Sequence, residues 1–172
     1  MSKNDLTIVI NTFNSDEKIY TCLDSINSSF KILIIENSNN IKFKEDIEKK
    51  YLNTHCELAG ENLGYAKGNN LGLSKVKTQF ALILNPDTKI EKNAINNFFQ
   101  TAVEYNDFAI IGPAIQEKKY FDTSKNIKDV IEVDTVKGFA MFLNINQFKD
   151  IGFFDDNFFI YFEEIDLCKR LK

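Results

Sequence analysis

Short β-branched apolar runs, each halted by a polar loop and followed by a stretch with helical periodicity, constrain this chain more than any other feature. Leu6-Thr7-Ile8-Val9-Ile10 stops at Asn11-Thr12-Phe13-Asn14, and Ile32-Leu33-Ile34-Ile35 stops at Glu36-Asn37-Ser38-Asn39-Asn40. Phe80-Ala81-Leu82-Ile83-Leu84 stops at Asn85-Pro86-Asp87-Thr88. Runs this short and this apolar read as strands buried on both faces. Strands alternating with helices predict βαβ units, a largely parallel sheet and an α/β sandwich. Weaker strands are expected near Cys56 to Leu58, from Phe108 to Ile111 and from Phe139 to Leu143. Helices are expected after Ser15 as N-cap, from Phe43 to Tyr51, from Ile90 to Tyr105 and from Phe159 to Leu171. Between Gly112 and Val136 the pattern weakens toward hairpins. At 172 residues, with no repeat or linker, one domain spanning residues 1–172 is expected.

Composition excludes several classes. A net charge of −4 with scattered basic residues presents no broad positive face, which argues against nucleic acid as a partner. Cys22, Cys56 and Cys168 are odd in number and widely spaced, fitting neither a disulfide framework nor a zinc site, so reduced thiols and a cytoplasmic setting are expected. The first apolar run is too short for a signal peptide or a membrane span, so any membrane association is expected to be peripheral or to lie outside this chain. His55, the single histidine, has no second histidine to pair with, and its one neighbouring cysteine, Cys56, does not make a ligand set, so a triad or zinc role is not expected.

In an open parallel sheet the ligand lies beyond the carboxyl ends of the strands, so the three polar loops are where chemistry is expected. Asp87 closes a buried apolar run within a Pro-containing turn. A carboxylate there is also a fixed hard-oxygen ligand suited to Mg²⁺ or Mn²⁺ bridging substrate phosphates. Gly64, Gly68 and Gly72 fall on one face of a helix and allow close approach to the sheet or to a ligand. The segment has neither a G-x-G-x-x-G fingerprint nor a Gly-Lys-Ser/Thr triplet, which disfavours a dinucleotide-binding dehydrogenase and a P-loop NTPase. Glu163, Glu164 and Asp166 follow the aromatic run Phe153 to Tyr161; they form either a solvated acidic face or, where desolvated, a general base.

Four blocks in order make the chain resemble the family-2 glycosyltransferases of the GT-A fold, especially the rhamnosyltransferase-like bacterial members. They are Val9 to Asn14, Glu61 to Leu73, Asn85-Pro86-Asp87, and Gly152-Phe153-Phe154-Asp155 through Arg170. The resemblance implies a mixed, mostly parallel sheet, a UDP- or dTDP-sugar donor and a saccharide or lipid-linked saccharide acceptor. By the same resemblance, Thr12, Asn14 and the Glu36–Asn37 loop hold the nucleoside, and Asn62, Gly64, Gly68, Asn69 and Asn85 line the nucleotide-sugar pocket. Asp87 ligates the metal, and Glu164 is the base, with Glu163 and Asp166 as the other acidic candidates. Glu36 replaces the family's usual Asp, and Asn85 replaces the first Asp of Asp-x-Asp. Family members continue with a further strand and a histidine, so a domain cut short at its C-terminus is expected. A non-catalytic nucleotide-sugar-binding module is the other reading. A sugar nucleotidyltransferase would need a Gly-rich basic loop after the first strand, and Asn11-Thr12-Phe13-Asn14 has neither glycine nor basic residue.

Overall fold

A computed structural model of the chain describes residues 3–114 and 130–172. Six strands form one sheet: β1 (Leu6–Thr12), β2 (Lys31–Glu36), β3 (Thr54–Leu58), β4 (Phe80–Leu84), β5 (Ile110–Ile111) and β6 (Ala140–Asn144), in the order β3-β2-β1-β4-β6-β5. β1 runs parallel to β2 and β4, and β2 parallel to β3; β6 lies antiparallel between β4 and β5. The expected mixed, mostly parallel α/β sandwich is therefore present. Strand order reverses between β1 and β4, so the carboxyl ends of both flank the switch point where ligands bind in open α/β sheets.

Alternation along the strands builds two cores. Leu6, Ile8 and Ile10 of β1, Leu82 of β4 and Phe142 of β6 turn to the face covered by α1 (Ile19–Ser25), α2 (Ile41–Lys50) and α4 (Ala94–Glu104) through Cys22, Phe43 and Ile95. Val9, Ile83 and Met141 turn to the other face, where α3 (Gly64–Ser74) and α5 (Glu163–Arg170) contribute Ala66, Leu73 and Leu167. Every residue of β4 and β6 is buried, as the apolar runs predict.

Several boundaries differ from the sequence-based expectation. Ser15 does not cap α1: its hydroxyl donates to the Phe13 carbonyl, its own carbonyl accepts from Lys18 and Ile19, and the helix starts at Ile19. α4 starts at Ala94 rather than Ile90, after a turn. α5 starts at Glu163 rather than Phe159, because Tyr161 (φ 72°) and Phe162 (φ 71°) adopt left-handed conformations that interrupt a right-handed helix. The hairpins expected between Gly112 and Val136 fall largely on 115–129, outside the described residues, and the described flanks carry no strand.

The open edge of β3 is covered by side chains of α2. Cys56 donates its backbone N–H to Glu48 Oε1 at 2.8 Å, and its carbonyl accepts from Lys44 Nζ. These bonds occupy backbone groups that would otherwise pair with another strand. Burial pulls the Glu48 carboxyl upward, but the Lys44 bond, the Cys56 N–H and the charges of Lys44 and His55 together hold it below its ordinary value. His55 stands on this edge, its Nδ1 3.1 Å from Glu48.

Candidate functional site

The carboxyl ends of β1 and β2 are welded by amides. Thr12 and Glu36 are register partners at the last step of the ladder. Beyond it, Asn37 donates its backbone N–H to the Thr12 carbonyl at 2.9 Å and its side-chain amide to the same carbonyl and to the Asn11 side chain. Asn11 donates onward to the carbonyls of Gly64 (2.9 Å) and Tyr65 (3.3 Å), while Asn37 Oδ1 accepts from Leu63 N–H at 3.2 Å. The start of α3 is thus fixed against both strand ends. Thr12 is 3% exposed and its hydroxyl has no partner among the described residues, an orphan polar group at the edge where a ligand is expected.

Glu36 is 2% exposed, and both of its oxygens serve its own loop. Oε1 accepts from Ser38 N–H at 2.9 Å and from the Ser38 hydroxyl, and Oε2 accepts from Asn40 N–H at 2.7 Å. The carboxylate therefore sets the loop's shape. Asn14 is exposed in a left-handed conformation (φ 49°), which Asn tolerates better than most residues.

The glycines of α3 face the sheet and the loop ahead of α5. A Cβ on Gly68 would lie 2.4 Å from Asn11 Oδ1, one on Gly72 2.5 Å from Val9 Cγ1, and one on Gly64 2.3 Å from the Phe159 carbonyl oxygen. Asn69 is fully buried; its amide donates to the Tyr65 carbonyl at 2.9 Å and its Oδ1 has no partner. Asn62 is exposed at the helix entrance.

Asn85-Pro86-Asp87-Thr88 is a hydrogen-bonded turn, with Thr88 N–H donating to the Asn85 carbonyl at 3.0 Å. Asn85 N–H continues the ladder to the Phe139 carbonyl at 2.9 Å, so this turn abuts the entry to β6. Asp87 projects exposed from it and forms no ion pair or hydrogen bond among the described residues. Tyr65 joins this corner to α5: its hydroxyl donates to the Gly138 carbonyl, and its backbone N–H donates to the Phe159 carbonyl at 2.7 Å. Burial, then the charges of Glu163 and Glu164, push the Tyr65 phenol well above its ordinary value.

The three acidic residues of α5 occupy different environments. Glu163 is 4% exposed, with Oε2 unpartnered among the described residues. Burial raises its carboxyl above the ordinary value of 4.5; its own backbone N–H opposes this and the Glu164 charge adds to it. Glu164 is half-buried and has no bound partner among the described residues. Asp166 pairs with Arg170 at 2.8 Å, and Arg170 also donates to the carbonyls of Ile151 and Phe153, tying α5 to the preceding loop. The structure therefore gathers Thr12, Glu36, Asn37, Gly64, Asn85 and Asp87 with the start of α5 at one end of the sheet. It turns Asn69 and Gly68 inward. Asn11, Tyr65 and Arg170, which assemble this corner, are not singled out by the sequence; their only signal is their position inside or beside the motif blocks.

A family model described as Glycosyl transferase family 2 matches residues 7–168. The chain belongs to this family. Similar proteins include the low-salt glycan biosynthesis hexosyltransferase Agl10 of Haloferax volcanii, which is 26% identical, with 98% of this chain and 62% of that protein aligned. The rhamnosyltransferase WbbL of Escherichia coli is 23% identical, covering 95% of this chain and 75% of that protein. The crystal structure of S. aureus TarS 1-349 superposes with a TM-score of 0.73 at 15% identity, covering 97% of this chain and 55% of that chain. The mannosyltransferase PcManGT of Pyrobaculum calidifontis, solved with GDP-Man and Mn²⁺, gives 0.73 at 13% identity over 97% of this chain and 51% of that one. The GT-A fold is shared, and the chain spans between about half and three quarters of the length of these proteins. No helix among the described residues is long and apolar enough to cross a membrane.

Proposed function

We propose that the chain is the catalytic domain of an inverting, metal-dependent hexosyltransferase. It takes a sugar, rhamnose among the candidates, from a UDP- or dTDP-sugar to a hydroxyl of a saccharide or lipid-linked saccharide in cell-surface polysaccharide or glycolipid assembly. The observation that carries this reading is the placement of two carboxylates with no partner among the described residues: Asp87 on an exposed turn after β4, and Glu164 half-buried at the start of α5. TarS crystallises with UDP and with UDP-GlcNAc, which supports a nucleotide-sugar donor at the same fold.

Among the described residues no group of three or more His, Cys, Asp or Glu side chains could cage a metal. The free Asp87 carboxylate fits an ion of the Mg²⁺ or Mn²⁺ type, which keeps several waters and takes its remaining ligands from substrate phosphates. Bound there, such an ion supplies charge stabilisation to a departing diphosphate. Thr12 and Asn14 flank the nucleoside, with Asn37 and the Glu36-braced loop forming its other wall, and Asn85, at the end of β4, contacts the donor. Glu164 accepts the proton of the acceptor hydroxyl as the acceptor oxygen bonds to the anomeric carbon from the side opposite the diphosphate. The bond to the diphosphate breaks in the same step and the configuration inverts. Asp166 acts through Arg170 to hold α5 in place. The exposed Ile160, Tyr161 and Phe162 support peripheral contact with the cytoplasmic face of a membrane carrying a lipid-linked acceptor.

The test is calorimetry of UDP and dTDP with Mn²⁺, with Mg²⁺ and with chelator. Either nucleotide is expected to bind more tightly with metal, and Asp87→Ala is expected to abolish the difference. Affinity indifferent to both metal and chelator would overturn the metal assignment.

A further inference from the structure

At the entrance to α3 a cavity of about 260 Å³ opens between Glu61, Asn62 and Lys67 on one side and Asn157, Phe158 and Phe159 on the other. Asp156 accepts from the Asn70 amide at 2.7 Å and Asn157 donates to Asp155 at 2.8 Å, but the charged groups of Glu61 and Lys67 have no bond among the described residues. Neither Glu61 nor Lys67 joins an ion pair among the described residues. Asn62 engages only its carbonyl oxygen, accepting from Gly64 N–H at 3.1 Å, so among the described residues both of its amide hydrogens are without a partner.

The aromatic wall is exposed yet held. Phe159 is 56% exposed, but its carbonyl is bonded to Tyr65 N–H at 2.7 Å and its ring packs so closely on Gly64 that no side chain would fit between them. A fixed aromatic surface beside free donors and acceptors suits a ligand with one apolar face and a hydroxyl rim, which is the chemistry of a pyranose ring. The volume lies below the ~300–1,000 Å³ of sites for drug-sized ligands and has room for a single small ring. A phosphate would face the Glu61 and Asp156 carboxylates with one lysine to offset them. An apolar tail would strand Glu61 and Lys67 without water.

We propose that this cavity is a saccharide subsite for the acceptor, holding a neutral pyranose unit other than the one whose hydroxyl reacts. The proposal rests on the transferase reading of the Glu164 corner. Phe159 and Glu164 are five residues apart, so the chain between them spans at most roughly 18 Å, a distance that a short oligosaccharide bridges. Asn62, which the family resemblance assigns to the donor pocket, lines this cavity.

The experiment is an amide-resolved NMR titration with the methyl α-glycosides of glucose, mannose, rhamnose and N-acetylglucosamine, with and without saturating UDP and Mn²⁺. At least one glycoside is expected to shift residues 61–67 and 156–159 with millimolar affinity, and to do so equally when UDP is bound. Lys67→Met and Glu61→Gln, which disturb no partner in the fold, are each expected to weaken that binding about tenfold. Displacement of the glycoside by UDP would make the cavity part of the donor site and overturn the proposal. So would glycosides that leave these residues unmoved at about 100 mM, a concentration that would reveal even very weak binding. UDP that shifts nothing near Thr12 and Glu36, while the glycoside still binds, would sink the donor reading and leave the saccharide site standing.

Discussion

Asn37 donates its side-chain amide to the Asn11 side chain, joining the carboxyl ends of two neighbouring parallel strands to the first turn of α3. Removing one partner of such a buried network strands the others, at about 1–3 kcal/mol for each group left without a bond. Asn37→Ala deprives Asn11 Oδ1 and Leu63 N–H together and is expected to cost about 2–4 kcal/mol. In a domain of this size that lowers Tm by roughly 5–15 °C. A thermal melt within about 2 °C of the parent would show that the network does not hold the edge.

The same edge makes two glycines unequal. Gly68→Ala would place a methyl group 2.4 Å from Asn11 Oδ1 and force Asn11 off its bonds to α3. Gly152 has φ +74° but open space around its missing Cβ, so Gly152→Ala pays only the left-handed backbone penalty, about 1–2 kcal/mol. Urea denaturation is expected to rank Gly68→Ala as the more damaging change, with a donor affinity that falls as well. The reverse order would mean that Asn11 yields easily and that α3 is not pinned by it.

This network also marks where sequence reading stops. β1, β2 and β4 are legible because their apolar runs are buried on both faces and end in polar loops. β3 begins two residues ahead of its expected start because Thr54 and His55 belong to an edge strand, where apolar patterning is weak. The glycine spacing at 64, 68 and 72 announces a close approach, but its partners lie on other segments: Asn11 and Gly64 are 53 residues apart, and Asn11 and Asn37 are 26 apart. Nothing in the residue types Tyr161 and Phe162 signals a left-handed pair, so the aromatic run reads as helix. The motif blocks locate Glu163, Glu164 and Asp166 without separating them. Burial, an unpaired position and an ion pair with Arg170 do so.

Glu163 carries a pH signature. Its carboxyl is raised above 4.5 chiefly by burial, so the folded state holds a proton there that the unfolded chain releases. The stability it contributes is full below the unfolded value and is lost as pH rises through the folded one. Glu163→Gln keeps the neutral shape at every pH. Its stability is expected to fall less than the parent's as pH rises from about 4.5 toward neutrality. Parallel stability curves for the two proteins over that interval would show that the proton is not retained.

On the proposed transferase reading Glu164 is the base: Glu163 is buried, Asp166 is bound to Arg170, and Glu164 has no partner among the described residues. Adjacent residues on a helix point about 100° apart, so Glu163 and Glu164 cannot face the cleft alike. Glu164→Gln preserves the side chain's shape and removes its basic oxygen. Affinity for UDP and for metal is therefore expected to persist, while sugar transfer falls by roughly 10²- to 10⁴-fold, the usual contribution of a general base. Glu163→Gln should reduce transfer less. Asp166→Asn frees Arg170 from its carboxylate, and its expected signature is a lowered melting temperature accompanying a smaller rate loss. The readout is release of nucleoside diphosphate from its sugar in the presence of acceptor, alongside calorimetry of UDP with Mn²⁺. A Glu164→Gln protein that transfers at the parent rate would remove Glu164 from the role of base and direct the same measurement to Glu163.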